Sequence, residues 1–291
     1  MKKSILLLSL SAAAVLAVST YSFSYNGDKT ESNANPITLE TVTVPEFKAN
    51  SANIIDTSEY SFENKKTEPN IVSLKKLDII DKDSCYHKML NSVDYYNYAN
   101  GRIETNLLNG EECTIVYNVD MIDNVDYQRV TTPSFDEEIS VHDNSIEVIN
   151  KLTDEKSLKP LQFTKTMETG NYDNDKARIT TTDGIPTYCY RMNPTNLHYA
   201  STVSIFPQEM VFGFLANKEN WSITGKSEYI GRDIITLEGK TEPDYGAKLN
   251  ISTFKMYIDS ETGILLHFEG YDSQNTLVSY VNTIEFSDEK K

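Results

Sequence analysis

Beyond about residue 220 the chain alternates apolar and polar positions in short runs broken by turn residues, the pattern of half-buried β-strands. Five such runs stand out: Trp221 to Ile230, Asp233 to Thr241, Leu249 to Asp259, Ile264 to Tyr271 and Leu277 to Phe286. The breaks between them are Gly231-Arg232, Glu242-Pro243-Asp244-Tyr245-Gly246, Glu261-Thr262-Gly263 and Asp272-Ser273-Gln274-Asn275. Connections this short join antiparallel neighbours. Phe254, Met256 and Ile258 share one face, Ile264, Leu266 and Phe268 share one on the next strand, and Val278, Tyr280, Ile284 and Phe286 share one on the last. Together they offer a broad apolar surface that needs cover.

Two helices are predicted as that cover. Met89, Leu90, Val93 and Tyr96 recur at helical spacing, with Tyr86 one turn earlier; Asp83 or Ser84 would cap this helix, which should run to about Tyr98 and end at Asn100-Gly101. The second spans Pro207 to Ala216, with Met210, Phe214 and Val211 on its apolar face. Between them the period is two again over Cys113 to Met121, and Tyr127 to Thr132, Glu138 to Val141 and Ser145 to Ile149 read as further strands, with Asp143-Asn144 as a turn. Lys159 to Asp183, with turns at Gly170-Asn171 and Asp183-Gly184, reads as a long loop or insertion.

The start of the chain has a different character. Lys2 and Lys3 precede an apolar run from Ile5 to Val18, and small Ser22 and Ser24 suit a cleavage site, so residues 1–24 read as an export signal. The run is shorter than the ~20 residues that a membrane-spanning helix needs. No cysteine follows it where a bacterial lipoprotein would be acylated. Residues 25–75 read as a flexible polar leader, in which Ile37 to Val44 could dock as an edge strand.

The net charge of −16 becomes more negative when the signal, with its two lysines and no acid, is removed. Such a surface repels phosphate backbones and anionic headgroups, which excludes nucleic acid as an expected partner. Membrane contact is then expected to be transient or through an uncleaved signal. Cys85, Cys113 and Cys189 form neither a disulfide framework nor a zinc site; if one pair bridges, Cys85 with Cys113 is the first choice, the alternative being three buried thiols.

Catalytic motifs are scarce. His87, His142, His198 and His267 are scattered, no nucleophile elbow is present, and Gly225-Lys226-Ser227 lacks the final glycine of one. Asp173-Asn174-Asp175 opens like a calcium loop but lacks its later glycine and glutamate. No phosphate cradle occurs, no cofactor is expected, and no catalytic or metal-binding residue can be named. Aromatic content is the feature that remains, 18 tyrosines and 11 phenylalanines against one tryptophan. Most of these suit strand surfaces, while Tyr257, Tyr271 and His267 fall on the solvent side.

Trp221-Ser222-Ile223, Glu228 to Ile235, Met256-Tyr257-Ile258-Asp259-Ser260-Glu261-Thr262-Gly263-Ile264-Leu265-Leu266 and Tyr271-Asp272 resemble the C-terminal half of the LolA-like and RseB-like superfamily of lipoprotein carriers and sigma-factor regulators. Lys88-Met89-Leu90-Asn91-Ser92 is consistent with that superfamily's opening helix, so residues 76–291 would form the domain. The resemblance implies an α+β, mainly antiparallel fold, an incomplete half-open β-barrel lidded by helices on its concave face. It implies a bacterial, non-enzymatic binding protein that holds a lipid tail, lipoprotein or apolar peptide in the groove. Phe254, Met256, Ile258, Leu266, Phe268, Val278 and Tyr280 would line that groove. The alternative is an envelope-stress regulator that binds a membrane anti-sigma factor or another cell-surface protein. Either would work outside the cytoplasm, in the extracellular, cell-wall or periplasmic space.

Overall fold

The computed structural model describes residues 74–107, 110–142, 145–160, 175–182, 185–191, 193 and 200–290. The signal, the leader up to residue 73 and the turns at residues 143–144, 170–171 and 183–184 lie outside them.

The chain enters through α1, Lys82–Leu90. Asp81 caps it by accepting from the Ser84 backbone at 2.8 Å, and the Ser84 hydroxyl lies 3.0 Å from the Asp81 amide, a reciprocal box that satisfies two donors at the helix start. The helix stops at Leu90, and a 3₁₀ turn follows over Ser92–Asp94. It is therefore shorter than its apolar spacing predicts. Tyr96 is buried beyond the helix end, and Asn100-Gly101 lies inside the first strand.

Eleven strands form one antiparallel sheet: β1 Tyr98–Thr105, β2 Cys113–Asp120, β3 Val125–Thr131, β4 Asp136–His142, β5 Ser145–Asn150, β6 Glu155–Pro160, β9 Trp221–Tyr229, β10 Arg232–Lys240, β11 Thr253–Asp259, β12 Leu265–Tyr271 and β13 Leu277–Ser287. Their order is β6-β5-β4-β3-β2-β1-β13-β12-β11-β10-β9. Two meanders thus meet where the first strand pairs with the last, and β6 and β9 remain as edges, so the sheet does not close. Gly101 makes this central seam possible, because a Cβ there would lie 2.3 Å from the Glu285 carbonyl and 2.8 Å from the Tyr117 hydroxyl.

A separate hairpin, β7 Ile179–Thr182 with β8 Ile185–Tyr188, occupies part of the stretch expected to be loop. Its short strands carry threonine and proline rather than apolar alternation, which hides them from a periodicity search. The link from β10 to β11 is also more structured than a turn: Pro243–Leu249 forms a helix, α4, closed by Asn250 in the left-handed conformation at φ 55°.

One sheet face is buried. Ile103, Ile115, Val119, Leu237, Met256, Ile258, Phe268 and Val281 join Met89, Leu90 and Val93 in a single core. Cys85 and Cys113 are separate free thiols within it, so the bridge considered above does not form, and Cys189 is free and exposed.

The β11–β12 hairpin explains the most recognisable sequence motif. Asp259, fully buried, accepts at one oxygen from the backbones of Glu261 (3.1 Å) and Thr262 (2.7 Å) and from the Thr262 hydroxyl (2.8 Å). Arg232 donates to Asp259 at 2.7 Å and to Asp288 at 3.0 Å, tying β10, the hairpin and the chain end together. Gly263, at φ 76°, brings the turn against α1. Buried Lys88 donates to the Ser260 carbonyl at 2.6 Å, and burial lowers its pKa against the pull of Asp259.

Candidate functional site

Between β8 and β9 the chain lays three short helical pieces on the buried face: α2 Thr202–Ile205, α3 Gln208–Met210 and a π-helical turn over Val211–Leu215. Pro207 separates the first two, since it lacks the N–H that would continue a helix. Buried hydroxyls fix α2. Ser201 donates to Gln128 on β3 at 2.7 Å, Ser204 to the Leu265 carbonyl at 2.7 Å, and Ser92 to the Ile205 carbonyl at 2.6 Å.

The π turn points its two phenylalanines at different neighbours. Phe214 lies against the sheet, 5.1 Å from Phe254 and 4.9 Å from Phe268, and meets Tyr245 of α4 edge-on at 5.2 Å. Phe212 stacks on Tyr188 of the β7–β8 hairpin at 4.9 Å and lies 5.4 Å from the Arg178 guanidinium. Gly213 sits between them, where a Cβ would come within 2.2 Å of the Tyr245 ring. The Trp221 indole donates to the Leu215 carbonyl at 3.0 Å and holds the end of the segment.

Five of the seven expected groove residues are buried. Phe254, Met256, Ile258, Leu266 and Phe268 are at most 3% exposed and belong to one cluster with Val211, Phe214 and Leu215. Of the segment's side chains, Phe214 rests on two of them, Phe254 and Phe268. Tyr280 departs from the expectation: it pairs with Glu269, whereas Phe268 pairs with Val281, so Tyr280 lies on the other face. Val278 is half-buried at the rim of the core, where the register shifts between Gly270 and Tyr271. A β-bulge of this kind resets the alternation that a strict period of two assumes.

The other face carries an arrangement that sequence reading placed only on the solvent side. Tyr257 and His267 stack at 4.8 Å, and Tyr229 lies within 5.8 Å of His267. The Tyr229 hydroxyl donates to Asn282 at 2.6 Å and to the Thr283 carbonyl at 3.1 Å. Yet β9 and β13 are four steps apart in the sheet, about 19 Å if it were flat at the usual strand spacing. The β9–β10 end therefore folds over this face, which is hollow here. Register shifts at Thr236/Leu237, Tyr257/Ile258 and Arg102/Ile103 lie next to one row across the sheet and supply the bend.

Within the hollow, His267 lies between Asn282 at 3.3 Å and Glu269 at 3.3 Å, and Tyr271 donates to Glu269 at 2.9 Å. The contact with His267 holds the Glu269 carboxyl below its usual range, whereas burial pushes the Tyr271 phenol up to about 12. A phenol so raised stays protonated near neutrality and serves as a donor rather than a nucleophile. Burial likewise pushes Cys85 up to about 12 and Cys113 up to about 11, which leaves both thiols unreactive.

Elsewhere His87 pairs with Asp175 at 2.9 Å; the remainder of the calcium-like triplet, residues 173–174, lies outside the described residues. Among the described residues no group of three or more histidines, cysteines or acids is placed to hold a metal ion, and no helix is long and apolar enough to cross a membrane.

No family model and no curated protein matches the sequence. The chain is similar to solved structures. MucB is 13% identical, with 72% of this chain and 59% of that chain covered at a TM-score of 0.38. The lipoprotein LppX of Mycobacterium tuberculosis is 11% identical, with 72% and 97% covered and a TM-score of 0.37. A putative outer membrane lipoprotein-sorting protein domain from Vibrio parahaemolyticus is 7% identical, with 71% and 93% covered and a TM-score of 0.26.

Proposed function

We propose that this chain is an exported, non-enzymatic binding protein of the cell envelope that takes a lipid tail, the acyl chain of a lipoprotein or an apolar peptide between the Thr202–Leu215 cap and the C-terminal strands. The observation that carries the reading is the place of Phe214, whose ring rests on Phe254 and Phe268 where a ligand's hydrocarbon would lie. Phe214 fills the site when it is empty, and the cap lifts or turns to admit the ligand. Two features suit such movement: the cap consists of short pieces interrupted at Pro207, and its last piece is a π turn, a geometry often found at functional sites. Each methylene moved from water onto this surface contributes about 0.8 kcal/mol, enough for a long chain to displace one ring.

Uptake of a fluorescent fatty acid tests the proposal. Phe214→Ala should raise uptake by opening the site, and Met256→Trp should abolish it by filling the floor. Thermal unfolding measured on the same samples separates uptake from folding, since Phe214→Ala also costs about 3–5 kcal/mol of stability. Uptake that is absent in the natural chain and in Phe214→Ala, with both folded, would rule the site out.

A further inference from the structure

The two edges of the sheet differ. On β9 the pairing with β10 shifts register at Ile223/Gly225, so this edge is irregular. β6 pairs with β5 over six successive residues with no shift, and Glu155 to Lys159 are all exposed. Apolar side chains stand out in water on the same hairpin, Leu158 at 69% and Leu152 at 64% exposure. A regular edge with exposed leucines invites another strand.

We propose that β6 pairs antiparallel with β6 of a second copy of this chain, about a two-fold axis at Ser157. The charges select this register. Glu155, Ser157 and Lys159 lie on one face, as their partners Asn150, Val148 and Ile146 show. A two-fold axis at Ser157 sets Glu155 opposite Lys159 of the copy and Lys159 opposite its Glu155, two attractive cross-strand pairs. On the other face it sets Leu158 against the aliphatic stem of Lys156. An axis one residue back, at Lys156, would oppose Lys156 to its own copy and is disfavoured. Pro160, which has no N–H to give, lies just beyond the paired stretch. The contact is isologous and closes on itself, so it yields a dimer and not a filament.

Sedimentation velocity of the purified full chain over a concentration series tests this, with far-UV circular dichroism confirming that each variant is folded. The natural chain should show a concentration-dependent dimer. Lys159→Glu and Glu155→Lys should each weaken it about tenfold, because both symmetry-related pairs become repulsive together. The double variant Glu155→Lys/Lys159→Glu restores opposite charges and should recover the dimer. A natural chain that stays monomeric throughout, or a double variant no better than the single ones, would overturn the proposal.

Discussion

At the residue scale, two glycines show how far local geometry decides what a position tolerates. Gly263 has φ 76°, and a Cβ on it would lie 2.7 Å from the Lys88 carbonyl, which is backbone and cannot swing aside. Gly225 lies at the β9 register shift, and a Cβ there would meet nothing within 4 Å. Gly263→Ala should therefore destabilise the chain by about 2–4 kcal/mol, combining left-handed strain with a lost contact between hairpin and helix. Gly225→Ala should stay within about 0.5 kcal/mol. Urea midpoints for the two variants check the contrast, and equal effects would mean that the hairpin does not dock on α1 through this turn.

At the scale of elements, β4 carries neighbouring acids that titrate in opposite senses because they occupy opposite faces. Asp136 receives two bonds of 2.8 Å from Arg129, which hold its carboxyl below the usual range. Glu137 points to the buried side, opposite Val130, and burial raises its pKa. A lowered carboxyl stabilises the fold above its unfolded pKa, and that contribution fades as pH falls through the folded value; a raised one opposes folding once pH exceeds the unfolded value. Asp136→Asn should cost about 1–2 kcal/mol at pH 7 and little near pH 3, whereas Glu137→Gln should stabilise at pH 7 and be neutral near pH 3. Thermal unfolding across that range reads both signs.

The same elements show what the sequence made legible. β2 and β9 to β13 were readable because each has enough alternating apolar positions between short polar turns to specify a strand and its buried face. The first helix is shorter than its spacing predicts because buried Val93 and Tyr96 extend the apolar pattern past Leu90 into a segment with other geometry. Pro243-Asp244-Tyr245-Gly246 has turn chemistry yet forms helix α4, where Tyr245 gains burial against Gly213. The bulges left no sequence signal, and they misplaced Tyr280. Packing against distant parts of the chain settles each of these cases, and a local pattern holds no record of it.

Across the described residues as a whole, an antiparallel sheet is joined at its centre, carries a buried core and short helical pieces on one face, and is concave at one end of the other. Five residues of the expected lining are buried in the core, and the other face gathers Tyr229, Tyr257, His267 and Asn282 from four different strands. That second grouping could not be assembled from sequence, because it depends on strand β9 folding back across the sheet. The central claim is that the cap exchanges its own hydrocarbon for that of a ligand. Native mass spectrometry of the chain purified from its own host, beside its Met256→Trp variant, tests this most directly. The account expects a lipid or apolar-peptide adduct on the natural chain that is lost from the variant; a natural chain carrying nothing, or an adduct that persists when Met256 is replaced, would contradict it.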